Sequence, residues 1–429
     1  MREMHPLQDE STCQGIMEIM YNTDLYMREI SGMDRFSFQP SGGSQGILGM
    51  ASLVYAYYKS RGEEKERNEI ITTIYSHPSD AAAPHVKGFK IIYLHPDENG
   101  YPDYEAFKAA VNEHTAAFFV ANPEDTGVYN KNVLKFTKLV HEAGGLCAYD
   151  QANANGLLGV TRARDAGFDM CFFNLHKTFS TPHGGGGPGI GPIGVAEHLV
   201  PFLPGHLTLG HEEGAVASAA WGSASIAAIC WMYLSMMGPD GLREATEMAI
   251  LNANYIAKKL GHLFPVLYSG NKGLVAHECI LDPRQLTHDA GLTVDDIAKR
   301  LMDYGFHGPT MSFPVPGTLM VEPTESEPKK ELDRFIEAME RIHAEITAII
   351  NGTADKEDNV LKNSPHTAEM VSADEWRHPY SRSEAAYPVS GLLIHKFWPY
   401  VGRVDNVYGD RNLVCTCDTV EEFSKAVEL

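Results

Sequence analysis

The sequence predicts an α/β protein: a mainly parallel sheet covered by helices on both faces, then a smaller α+β domain. Three observations predict it. Short apolar runs alternate with helix-spaced segments from Lys90 onward. The chain has 429 residues, too many for one small core. The regular strand–helix alternation stops near residue 265, beyond which strands and helices mix differently.

Each element has its own signal. ILGMASLVYAYYKSRG (47–62) reads as an apolar helix, and EIITTIYS ahead of His77 is an apolar run. KIIYL (90–94), AAFFVAN (116–122), LCAYD (146–150) and FDMCFFN (168–174) read as strands. Between them, DYEAFKAAVNEH (103–114) and KNVLKFTKLVHEAGG (131–145) have helical spacing, the second ending on a glycine pair. Ala215 to Met237 reads as a buried helix rather than a membrane span, because serines and a glycine interrupt it. A helix over 241–264 is expected to bridge to the second domain. There LVAHECILD (274–282) and TLMVEPT (318–324) read as strands, 294–305 and 329–350 as helices, and 352–385 as a polar, turn-rich arm. The expected division is a large domain over 1–265, with an N-terminal arm over 1–35, and a small domain over 266–429 with an extended tail.

The formal net charge of -21 argues against nucleic acid or a basic membrane patch as partner. Seven irregularly spaced cysteines do not form a disulfide framework, and Cys415 and Cys417 lack the second pair a zinc site needs. MREMHPLQDEST carries no apolar targeting core, so the expectation is a cytoplasmic protein with reduced thiols.

The chemistry centres on Asp150 and Lys177. Asp150 ends the strand LCAYD, and Lys177 follows the next strand by three residues. Ligands in open parallel sheets sit outside the carboxyl ends of strands, so both side chains reach one rim. A lysine amine that forms a Schiff base and a carboxylate that keeps a pyridine nitrogen protonated are the two groups a pyridoxal-phosphate (PLP) enzyme needs. Ser41, Gly42, Gly43, Ser44 and Gln45 precede an apolar helix, where backbone N–H groups and the helix dipole suit a phosphate. The run PHGGGGPGIGPIG (182–194) lets main chain approach closely; prolines 188 and 192 exclude a dinucleotide fingerprint, and no G-K-[ST] closes a P-loop. From spacing, His77 and His176 are either ligand contacts or backbone-bonded loop residues. His206 and His211 read as structural, and no metal is expected.

NLHKTFSTPHGGGGPGIGPIGV (174–195) closely resembles the lysine region of the glycine cleavage system P-protein family, glycine dehydrogenase (aminomethyl-transferring). HPLQDESTCQG (5–15), FQPSGGSQG (38–46), AYDQANANG (148–156), DYGFHGPTMSFPVPGTLMVEPTESE (303–327) and KFWPYVGRVDNVYGDRNLVCTC (396–417) resemble family segments in family order. The likeness is to the C-terminal half of the long form, or to subunit 2 of the two-subunit form. It implies the type I PLP-dependent, aminotransferase-like fold. It assigns Lys177 to the Schiff base, Asp150 to the pyridine nitrogen, His77 to the ring face and Ser41–Gln45 to the phosphate side. Asn153 and His176 are carried as further cofactor contacts, and Arg403 and His183 as substrate candidates. The implied activity is glycine decarboxylation with aminomethyl transfer to a lipoyl H-protein, beside a homologous first subunit, in a homo- or hetero-oligomer such as a dimer. Departures cluster in the loops: HPSDAAA (77–83), NPEDTG (122–127), DQANAN (150–155), Ile47 and Ser180, and no P-L-G-S-C-T-M-K stretch precedes His5. They motivate an alternative, a stand-alone PLP decarboxylase, lyase, aldolase or aminotransferase for another amino acid.

Overall fold

The computed structural model describes residues 5, 8–183, 189–207, 210, 214–413 and 419. Its main sheet has seven strands: β1 (Arg35–Ser37), β2 (Glu69–Thr73), β3 (Lys90–Leu94), β4 (Thr115–Ala121), β5 (Leu146–Gln151), β6 (Met170–Phe173) and β7 (Ile193–Val195). Their order is β1-β7-β6-β5-β4-β2-β3. Strands β3, β2, β4, β5 and β6 run parallel. β7 is antiparallel to both β6 and β1.

Continuous apolar runs arise because both faces of the sheet are buried. Successive residues point to opposite sides. Ile70, Phe119, Ala148 and Phe172 pack with Ile47, Met50, Val54 and Tyr58 of the helix Gly43–Arg61. Ile71, Phe118, Tyr149 and Phe173 face the other way, with Met27 of the helix Gln14–Ser31 and Phe136 and Val140 of the helix Val133–Glu142. The residues expected to form an N-terminal arm are thus largely a packed helix.

β1 and β7 escape the sequence reading because each is three residues long. Gly194 explains their pairing. A Cβ there would lie 2.3 Å from the Phe36 ring, so the absent side chain is the space that ring occupies. The helix expected over 241–264 is part of Ala224–Leu260, broken at Gly238, whose φ of 62 no helix accommodates.

The chain forms two compact units, 1–285 with 309–340, and 286–308 with 341–429. This partition departs from a division at residue 265. Strands β8 (Cys279–Leu281), β9 (Thr310–Met311) and β10 (Leu319–Val321) form an antiparallel sheet that belongs to the first unit.

The second unit is organised around Arg300, which is 0% exposed. Its guanidinium donates to Asp303 at 2.9 Å, to Glu345 at 2.6 Å and to the Ala385 and Glu384 carbonyls at 3.0 and 2.8 Å. Asp303 in turn accepts from Ser364 at 2.8 Å and from the His366 backbone at 2.7 Å. The polar stretch after Ile350 is therefore anchored, with Leu361, Ser364 and His366 fully buried. Removing one member of a buried ionic network strands the others without a partner. Arg300→Ala is expected to cost about 3–5 kcal/mol in a urea titration, whereas a loss below about 1 kcal/mol would mean that water reaches this network.

Candidate active site

Four segments leave the carboxyl ends of β2, β4, β5 and β6 and meet at one rim. Lys177 sits on the single turn Leu175–Thr178, flanked by Leu175 and Phe179, both 0% exposed, while its own side chain is exposed. Two hydrogen bonds tie this turn to the segment after β5. The Asn174 N–H donates to the Ala152 carbonyl at 3.2 Å, and the Ala154 N–H donates to Thr178 Oγ1 at 2.9 Å. Asp150 pairs across the sheet with Phe172 of β6 and Ala121 of β4, and its Oδ1 accepts the Ala152 N–H at 2.8 Å. Burial pushes the Asp150 carboxyl up, while the Ala152 N–H and the charges of Lys177 and His77 oppose the rise. The two groups named from the sequence therefore share one rim and one electrostatic field.

His77 opens the turn after β2. Its Nδ1 accepts the Ser79 N–H at 3.2 Å and lies 2.7 Å from Ser79 Oγ. An accepting Nδ1 leaves the proton on Nε2. Burial holds the imidazole below its ordinary range, the Asp150 charge opposing and the Lys177 charge adding. Burial thus favours the neutral form of the ring.

The Ser41–Gln45 segment begins the helix Gly43–Arg61 four residues earlier than the apolar pattern indicates. Its first intrahelical bond is Gly46 N–H to the Gly42 carbonyl at 2.8 Å. The N–H groups of Gly43, Ser44 and Gln45 precede that bond, at the positive end of the helix. Gln45 Oε1 folds back onto the Ser41 N–H at 2.7 Å and Ser41 Oγ at 2.8 Å, closing the loop. The described end of the glycine run buttresses it. A Cβ on Gly189 would lie 1.9 Å from the Ser41 carbonyl oxygen, so the close approach is of main chain to main chain. Residues 184–188 lie outside the described residues, as do His211, Cys415 and Cys417.

The remaining candidates separate. His176 and His183 pair ring to ring, 4.8 Å between centroids. Burial first, then His183 and Lys177, keep His176 below its ordinary value. Asn153 donates to Glu322 Oε1 at 2.6 Å and accepts the Asn155 N–H at 3.0 Å. His206 bonds the Ser218 carbonyl at 2.9 Å, consistent with a structural residue. Arg403 is the correction. It lies in the second unit, where Nη1 donates to the carbonyls of Leu361, Lys362 and Ser364 at 3.1, 3.2 and 3.2 Å, and Nη2 pairs with Asp295 and Asp296. Those terminal nitrogens hold the protein together and do not await a carboxylate.

Sequence reasoning missed an acidic surround. Asp80, Glu124, Asp125, Glu278 and Glu322 all belong to the first unit. Lys177 acts electrostatically on Asp125 and Glu278, and on His277, whose buried Nδ1 has no hydrogen-bond partner. Burial pushes Glu124 up to about 8, against the Thr73 hydroxyl that donates to it at 2.7 Å. The available signal was a histidine and two glutamates inside otherwise apolar strand segments, since polar groups are rarely buried without purpose.

Comparisons with known proteins bear on this geometry. A family described as glycine dehydrogenase, C-terminal domain, matches residues 245–366, and one described as aminotransferase class-V matches residues 45–214. A glycine dehydrogenase (decarboxylating) from Akkermansia muciniphila is 70% identical over 99% of this chain, and one from Nostoc punctiforme is 49% identical over 98%. The chain spans 45% and 44% of those relatives. Among solved structures, an inhibitor-bound glycine decarboxylase (P-protein) of the glycine cleavage system superposes with a TM-score of 0.65, at 19% identity, covering 79% of each chain. A cysteine desulfurase from Thermococcus onnurineus gives 0.61, at 17% identity, over 79% of this chain and 86% of the other. The architecture is thus the type I PLP-dependent, aminotransferase-like fold. Within it, the chain is similar along almost its whole length to glycine dehydrogenase (decarboxylating) and corresponds to a little under half the length of the relatives above.

Asp125 yields a test of the acidic surround. Burial first, then the Asp150 charge, with Lys177 opposing and Glu322 adding, push its carboxyl up to about 7 from 3.8. The folded state therefore holds a proton that the unfolded state releases, and stability falls as pH rises between those values. Asp125→Asn removes this loss. Its melting temperature relative to wild type is expected to gain more at pH 8 than at pH 5; an equal change at both would show an ordinary carboxylate.

Proposed function

We propose that this chain supplies the PLP-bearing half of a glycine-decarboxylating system, passing an aminomethyl group to a lipoyl-carrying H-protein. The observation that carries the proposal is Lys177 and Asp150 on adjacent strand ends of one rim. The 70% identity to a glycine dehydrogenase along almost the whole chain supports the substrate and the carrier.

The residues fit the cofactor. Lys177 offers an exposed primary amine on a turn with buried flanks. Asp150 keeps one carboxylate oxygen on the Ala152 N–H and lies close enough to Lys177 to feel its charge. Asn174 Oδ1 and Thr181 Oγ1, just before and after the lysine turn, are buried with no protein partner. The His77 imidazole suits the ring face, and the N–H groups at Gly43–Gln45, with Ser41 and Ser44, suit the phosphate. Bound there, pyridoxal phosphate supplies an aldehyde for the amine and a ring that accepts the electron pair left when carbon dioxide departs.

The chain's own part is to position and to move protons. Asp150 holds the proton on the ring nitrogen, which keeps the electron sink charged. Lys177 anchors the cofactor between turnovers and, once released by substrate, carries a proton at Nζ. His77 excludes water from one ring face.

In this reading the protein works beside a homologous first subunit, as a hetero- or homo-oligomer, and in the cytoplasm. Among the described residues no helix is long and apolar enough to cross a membrane. The acidic loops Asp80 and Glu124–Asp125 favour one second reading, a PLP enzyme acting on another amino acid. A panel of amino acids separates the two, because a spectral response to glycine alone supports the first.

Borohydride reduction of the PLP-loaded protein is expected to leave a mass adduct on the peptide containing Lys177. With the partner subunit and lipoyl carrier added, Lys177→Ala is expected to lower exchange of labelled carbon dioxide into glycine by at least about 10²-fold. An adduct on another lysine, or full exchange by the variant, would defeat the assignment.

A further inference from the structure

The turn that carries His77 also carries a carboxyl group that none of the roles above uses. Asp80 lies in the first turn of the helix Ser79–Val86, its N–H bonded to the His77 carbonyl at 2.9 Å. It is 0% exposed. Both its oxygens are sealed from solvent, and neither receives an N–H or O–H from a neighbouring residue. The neighbouring group that acts on it most strongly is the carboxyl of Asp150, through charge and a side-chain contact. Two carboxylates offer only acceptors, so this contact requires a proton between them.

The surroundings decide which one holds it. Asp150 accepts the Ala152 N–H and feels the charges of Lys177 and His77, all of which favour its ionised form. Asp80 feels the charges of Asp150, Asp125 and Glu124, which disfavour its ionised form. The helix N-terminus favours an anion only weakly, whereas burial of an unpaired carboxylate is heavily penalised. Burial pushes Asp80 well above its ordinary value, in the same direction.

We propose that Asp80 is a positioning residue, a buried carboxylic acid that donates its proton to Asp150 and so fixes the rotamer and the charge of the group facing the pyridine nitrogen. The inference rests on the assignment of Asp150 to that nitrogen. A neutral donor behind the carboxylate stops it turning away from the ring and lowers its basicity. Asp150 then holds the ring proton without abstracting it.

Two variants test this. Asp80→Asn keeps a donor of the same shape and has no titrating proton, whereas Asp80→Ala removes the donor. Infrared difference spectra of the cofactor-free protein at neutral pH come first. Wild type minus Asp80→Asn is expected to show one protonated carboxyl C=O band. A flat difference would overturn the proposal. The loaded protein comes second. Asp80→Ala is expected to weaken PLP binding about ten-fold, as loss of a charge-assisted hydrogen bond does, and to move the pH midpoint of the bound cofactor's absorbance, with Asp80→Asn restoring both. Affinity and midpoint unchanged in Asp80→Ala would also overturn it. Failure of wild type to bind PLP would defeat the site reading instead, and the infrared result stands apart from that outcome.

Discussion

The charge of Lys177, just past the end of β6, favours the ionised form of a carboxyl at the end of β5 that burial makes costly to ionise. Asp150 is 7% exposed, and burial drives its carboxyl toward the neutral acid. The charges of Lys177 and His77, with one backbone N–H, pull it back. Parallel pairing of the two strands makes this possible, because it delivers both residues to the same end of the sheet. An antiparallel neighbour would have sent one of them to the opposite rim. Around that pair stand an imidazole, a helix start that can hold an anion, and further acids that burial pushes toward the neutral form.

The second unit solves a similar problem with the opposite result. Arg300 and Asp303 are fully buried and charged, and every bond to them comes from within that unit. There the buried charged groups are bonded to one another and to the backbone, which suits a scaffold. Around Asp150 the acids outnumber the cations, and several buried polar atoms have no partner. Unsaturated polar groups cost stability, and proteins retain them where a ligand completes the set.

Much of this was legible in the amino-acid string. The parallel strands were readable because both faces are buried, which turns each strand into an apolar run. Asp150 and Lys177 were readable because chemistry and position coincided at adjacent strand ends. β1 and β7 were not, since three residues give no periodicity and Gly194 matters only through the Phe36 ring. Glu278 and Glu322 were hidden for a different reason. They flank β8 and β10, which form a separate small sheet, and linear order assigned them to another domain. Arg403 misled because a family-like segment says nothing about which atoms its guanidinium already serves.

The glycine run after Lys177 has a mechanical meaning. The Leu175 N–H bonds the Ile190 carbonyl at 3.2 Å, and the Gly191 N–H bonds the Pro40 carbonyl at 2.8 Å. Gly189 lies against the Ser41 carbonyl with no room for a side chain. Peptide groups thus help connect the lysine turn to the helix start, and peptide groups lack the rotameric slack of side chains. In the proposed site, the spacing between the lysine turn and the helix start is therefore set by the backbone before anything binds. That is preorganisation of the kind that raises affinity without adding a contact.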